Sequence, residues 1–148
     1  MSDPARQVLL QKIYVKDASL EVPGAPQVFT RAWSPQVDVQ IETAAVTLGP
    51  DQHHVTLTVT VTAKLEQDVA FLAEVRQAGI FLVRGVPEAR DRQKVLGADC
   101  PHHLFPFARE AIAELVQRGG FPQLLLQPVD FESLYREHLA RGEPARAH

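Results

Sequence analysis

Val55-Thr56-Leu57-Thr58-Val59-Thr60-Val61-Thr62 alternates apolar residues with threonine without a break. Successive side chains of an extended strand point to opposite faces, whereas the apolar stripe of a helix recurs every three or four residues. The segment therefore predicts a β-strand with one apolar face and one hydroxyl-lined face, and its β-branched residues favour that state. Such a strand needs neighbours beside it and a second layer over its apolar face. Val37-Asp38-Val39-Gln40-Ile41 repeats the alternation. Ile13-Tyr14-Val15 is the centre of a β-prone but less regular stretch over 8–20. Residues 68–83 supply a fourth strand, with Gly79 marking a bulge or bend. Turn signals at Gly49-Pro50-Asp51 and over 64–68 permit antiparallel neighbours. Between the first two strands lies a long connection, 23–35, with Pro23, Gly24, Pro26 and Pro35. It also carries Phe29 and the only tryptophan, Trp33. Long connections of this kind are often functional.

The apolar period then changes. Leu104, Ala108, Ala111, Ile112 and Leu115 recur at spacings of three or four and predict an amphipathic helix over 104–118. Gly119-Gly120 stops it, and Pro106 marks the start of its regular part or a kink. A last helix starts at the N-cap Asp130, with Val129 and Leu134 placed as a hydrophobic staple, and runs to about Arg141. Strands first and helices later predict an α+β fold, a four-stranded antiparallel sheet with helices packed on one face. At 148 residues, one domain over 1–148 is expected, with 1–7 and 142–148 flexible.

Composition narrows the function. Apolar residues make up 45% and charged residues 22%, which suits a globular chain. No apolar run is long enough to span a bilayer, and the first residues lack the pattern of a secretory signal. Cys100 is the single cysteine, so no internal disulfide is possible and a reducing cytoplasm is expected. Fifteen Lys and Arg face 18 Asp and Glu, and the one basic concentration, 84–94, also holds Glu88 and Asp91. That argues against nucleic acid as a partner.

No assembled catalytic site is visible. His53-His54 point to opposite faces of a strand, and Asp99-Cys100-Pro101-His102-His103 lacks a second cluster at metal-ligand spacing, so no metal is expected. Cys100 is read as a buried inert thiol rather than a nucleophile. Phosphate-binding glycine loops and nucleophile elbows are absent, and no cofactor or enzymatic activity is expected. An enzyme of unknown reaction using Cys100 with His102 or His103 remains the alternative from another class. In Phe71-Leu72-Ala73-Glu74-Val75-Arg76-Gln77, one face takes Phe71, Ala73, Val75 and Gln77, the other Leu72, Glu74 and Arg76. Either the second face is simply solvated, or both faces are used, one for subunit packing and one for a partner.

Nine stretches in order resemble the SecB family of protein-export chaperones. They are Ile13-Tyr14-Val15-Lys16-Asp17, Pro23-Gly24-Ala25-Pro26-Gln27-Val28-Phe29, Val59-Thr60-Val61-Thr62-Ala63 and Ala70-Phe71-Leu72-Ala73-Glu74-Val75. Gly79-Ile80-Phe81, Leu96-Gly97-Ala98-Asp99-Cys100-Pro101 and Leu104-Phe105-Pro106-Phe107-Ala108-Arg109-Glu110 follow, then 118–124 and Pro128-Val129-Asp130-Phe131. The resemblance implies an ATP-independent holdase that binds unfolded preproteins in the cytoplasm and delivers them to the translocase motor SecA. It also implies a tetramer, a dimer of dimers, with the helix over 106–118 between dimers. Direct membrane insertion is not implied.

Carried over residue by residue, Asp17, Glu21, Leu72 and Glu74 match the SecA-contacting surface, an acidic patch around one apolar residue suited to steering a basic partner. Ala73, Val75 and Gln77 match the face that supports the tetramer, with Ile112 and Leu115 on the interface helix. An unfolded client offers apolar side chains and unpaired backbone, so a holdase needs exposed apolar grooves. Phe29 and Trp33 are expected to wall such a groove opposite Leu134, Tyr135 and Leu139. Three departures stand out. Ala78 replaces a common Gly, Phe107 replaces a common Tyr, and 141–148 is short and slightly basic where many members carry a longer acidic tail that contacts SecA. That last contact is not carried over. A SecB-like chaperone serving a toxin–antitoxin pair is the nearest alternative.

Overall fold

The computed structural model describes residues 5–142; the expectations for 1–4 and 143–148 fall outside the described residues. The chain runs β1 (Gln7–Glu21), a 3₁₀ turn (Gln27–Thr30), β2 (Gln36–Thr47), β3 (Gln52–Leu65) and β4 (Asp68–Arg84). It continues through α1 (Ala89–Lys94), a π-helical turn (Val95–Asp99), α2 (Cys100–Arg118) and α3 (Phe131–Ala140). The strands form one antiparallel sheet in the order β1-β4-β3-β2. β2, β3 and β4 are joined by two hairpins. The long connection carries the chain from one edge of the sheet to the other, across three inter-strand gaps of about 4.8 Å each.

The alternation of β3 is realised as a two-faced strand. Val55, Leu57, Val59, Val61 and Ala63 have no accessible surface, and the threonines between them are half-buried. Register sets Val59 beside Val75 and Val61 beside Ala73, so these share a face with Phe71 and Phe81. α2 covers that face with Leu104, Ala108, Ile112 and Val116, buried at spacings of four. Each large side chain so buried contributes roughly 1.5–3 kcal/mol.

β1 explains why its sequence is irregular. Register breaks lie between Leu10 and Lys12 and between Val15 and Asp17. The partners of Val83, Phe81, Gly79, Gln77, Val75 and Ala73 are Val8, Leu10, Ile13, Val15, Ala18 and Leu20. Each bulge inserts one residue and restores the helix-facing parity that strict alternation would lose. Gly79 belongs to this device: a Cβ there would stand 3.0 Å from both the Lys12 carbonyl oxygen and Leu10 Cδ1.

The helical run begins earlier than the apolar period predicts, at Ala89 rather than near Leu104, and Pro106 lies inside α2. α1 buries no side chain, so it has no apolar stripe to read. The β3–β4 turn holds Glu66 at φ 56°, a left-handed conformation that a glutamate adopts only under strain. Glu66→Gly should raise the free energy of unfolding by about 1 kcal/mol in urea titration.

Candidate functional site

Two surfaces collect the residues that the sequence singles out. The first is the sheet face turned away from α2. Register sets Glu21 beside Leu72, Ser19 beside Glu74 and Asp17 beside Arg76. On the other side of β4, Thr62, Thr60 and Thr58 pair with Leu72, Glu74 and Arg76, and beyond them Asp38, Gln40 and Glu42 complete three rows. Asp17, Glu21, Leu72 and Glu74 therefore lie together on one face, although β1 and β4 are distant in sequence. The Glu74 carboxylate accepts a bond from Thr60 Oγ1 at 2.9 Å and lies 3.6 Å from Arg76 Nε. Asp38 and Glu42 extend the acidic face onto β2, and the period-2 pattern of that strand was the signal for them.

Ala73 and Val75 point the other way and have no accessible surface. Gln77 is also buried: its Nε2 donates to the Tyr14 carbonyl at 3.1 Å, and its Oε1 has no hydrogen-bond partner among the described residues. Ile112 is fully buried on α2 and Leu115 half-buried. Of these five, only Leu115 offers surface to another chain. Ala73, Val75 and Gln77 are buried on the helix-facing side of β4, and Ile112 on α2. On this side Phe107 on α2 and Leu10 and Val15 on β1 leave apolar surface open.

The second surface is the long connection. Val28 is buried and anchors the 3₁₀ turn. Phe29 and Trp33 lie 5.2 and 5.1 Å from the Phe121 ring, Trp33 stacks on Phe71 at 6.3 Å, and Phe71 and Phe121 touch at 5.0 Å. The two floor rings are buried, whereas Phe29 is 50% and Trp33 36% exposed. Tilted and stacked ring contacts of this kind help to fix ring orientation. Phe121 lies in the family-like stretch 118–124, with no local signal of its own; it takes its place because Gly120, at φ 89°, turns the chain under Phe29. On the helix-facing side of β2, Val37 and Val39 also remain exposed.

α3 forms a separate cluster. Ser133 N–H donates to Asp130 Oδ1 at 3.0 Å, as a capping residue requires, and the Ser133 bonds hold the Asp130 carboxyl below its usual range. Phe131 packs on Phe105 at 5.7 Å and Lys94 pairs with Glu132 at 3.0 Å. Tyr135 is buried against Gly97 of the π-helical turn, where a Cβ would stand 2.6 Å from its ring. Of the expected groove residues, Phe29 and Trp33 meet across Phe121. Tyr135 is turned into the core, Leu134 is half-buried and Leu139 is exposed.

Among the described residues, the His53-His54 pair and the Cys100, His102 and His103 group lie on separate elements. His53 is buried beside Thr47, and His54, on the opposite face, lies 2.7 Å from the Tyr14 hydroxyl; burial lowers the pKa of both. Among the described residues, no group of three His, Cys, Asp or Glu is placed to hold a metal ion. Burial, then the nearby Asp99, pushes the Cys100 thiol up to about 12, so it carries no thiolate near neutral pH. No described helix is long and apolar enough to cross a membrane.

A family model described as preprotein translocase subunit SecB matches residues 2–142. A protein-export protein SecB from Halorhodospira halophila is 53% identical over 134 residues, 90% of this chain and 77% of that protein. Its counterpart in Psychrobacter arcticus is 53% identical over 131 residues, 88% of this chain and 87% of that protein. Among solved structures, the SecB-like chaperone of Mycobacterium tuberculosis, in complex with a ChAD peptide from the HigA1 antitoxin, matches with a TM-score of 0.69. That match is 19% identical over 82% of this chain and 90% of the other, so the likeness is one of fold.

Proposed function

Since this chain belongs to the SecB family of protein-export chaperones, we propose that it is a cytoplasmic holdase that seats unfolded preproteins on the aromatic platform and passes them to SecA. The observation that carries the client site is the pair of half-exposed rings, Phe29 and Trp33, held over a buried aromatic floor. A client whose apolar side chains are still in water gains by covering such rings. Binding the unfolded state opposes folding by mass action and needs no nucleotide. Burial of the Cys100 thiol disfavours it as a nucleophile.

SecA is assigned to the outer sheet face, with Asp17, Glu21 and Glu74 around Leu72. Exposed carboxylates steer a basic partner and speed its approach. The tetramer is assigned to the helix side. Ala73, Val75, Gln77 and Ile112 are buried within that side of the subunit, and Leu115 joins Phe107, Leu10 and Val15 in the apolar surface that a second copy covers. The alternative receiver, a toxin–antitoxin pair, has the M. tuberculosis neighbour in its favour at 19% identity, against 53% for export chaperones.

Light scattering of a chemically denatured client tests the reading. The chain without ATP should suppress aggregation, and multi-angle scattering should give four chains of 16.4 kDa. Trp33→Ala should weaken client binding about tenfold, the loss of one good aromatic contact. Joint substitution of Cys100, His102 and His103 should leave suppression intact. A monomer that leaves aggregation unchanged would sink the proposal.

A further inference from the structure

The segment that carries Phe29 and Trp33 is fastened at one charged point. Arg31 follows the 3₁₀ turn and lies between the two rings in sequence. Its Nη1 donates to Asp68 Oδ2 at 3.0 Å, and its Nη2 reaches the Leu65 carbonyl at 3.5 Å. Leu65 and Asp68 are cross-strand partners that close the turn between β3 and β4. The strained Glu66 sits inside that turn. Strain of this kind persists where the surroundings over-determine it, and is a pointer to function. Here the turn brings a carbonyl and a carboxylate to one planar guanidinium, a fork that lysine does not reproduce. Three residues beyond Asp68, Phe71 is the ring on which Trp33 stacks. Arg31 and Trp33 thus grip the same end of β4, one by charge and one by ring contact. Beneath Phe29, beside the Phe121 ring, lies bare backbone at Gly120, whose Cβ would stand 3.1 Å from the Phe29 ring.

We infer that Arg31 is a positioning residue for the client platform: its tether to the β3–β4 turn keeps Phe29 and Trp33 ordered before a client arrives, and so sets affinity. The inference rests on reading those rings as client surface. A ring already held in place loses less freedom on binding than a loose one. Because the Arg31 and Asp68 side chains are 36% and 78% exposed, the tether is open to screening by salt.

Trp33 is the only tryptophan, so its emission reports on this segment alone. In the full chain, Arg31→Ala should raise acrylamide quenching of Trp33. It should also weaken binding of dye-labelled, reduced and carboxymethylated α-lactalbumin about threefold. Arg31→Lys should recover part of both signals, and the charge-swapped pair R31D/D68R most of them. About 1 M salt, where the screening length is about 3 Å, should raise quenching in the parent chain and change little in Arg31→Ala. Unchanged quenching in Arg31→Ala overturns the tether. Raised quenching with unchanged binding overturns the positioning role. If Trp33→Ala also leaves binding unchanged, the fault lies in the platform reading rather than in Arg31.

Discussion

Phe71→Ala is expected to lower the free energy of unfolding by about 4 kcal/mol, measured as a shifted urea midpoint at unchanged slope. Phe71 is 1% exposed and touches both Trp33 and Phe121. Truncation removes its own burial and leaves a cavity that two neighbouring rings cannot fill without leaving their contacts. Client affinity should fall as well in whatever remains folded, because Trp33 loses its floor. Leu72→Ala, one residue on, should cost less than half as much, since Leu72 is only partly buried on the outer face. Equal losses at the two positions would contradict the two-faced packing of β4.

Glu74→Lys should weaken SecA binding at least tenfold at low salt, with oligomer mass unchanged. The substitution reverses a charge at the middle of the outer face, where it would stand beside Arg76. Like charges there repel a basic partner, and the difference from the parent chain should shrink as salt rises. Stability should fall by about 1 kcal/mol, because the bond from Thr60 is lost and the Arg76 pair with it. Arg76→Ala should act in the opposite sense and strengthen binding, since Arg76 offsets the acidic face. Unchanged affinity of Glu74→Lys in calorimetry would remove this surface as the SecA site.

β3 could be read because each of its side chains is committed to one of two unlike environments. β1 could not be bounded that way. Its two bulges, at Gln11 and Lys16, move the period out of phase, and only the pairing with β4 shows that Leu10 and Ile13 share a face. α1 was missed for the opposite reason: Ala89-Arg90-Asp91-Arg92-Gln93-Lys94 buries nothing, so no periodicity could mark it. At the site, Phe29 and Trp33 were legible as unusual aromatics in a long connection, but Phe121, the ring they share, was not. Tyr135 was expected in a groove and is instead seated on Gly97, a fit that depends on the π-helical turn bringing bare backbone against its ring.

Periodicity is local, and it alone determined that this chain has two-faced strands, an amphipathic helix and a division of 71–77 between an inner and an outer set. The SecB family, too, was legible in short stretches in order. Which strand lies beside which was decided only by tertiary structure. Placing β1 against β4 brings Asp17 and Glu21 to Leu72 and Glu74, and carrying the connection back across the sheet sets Trp33 on Phe71 and Phe121. Adjacency of this kind depends on which apolar surfaces bury best together over the whole chain, and no window of a few residues contains that sum.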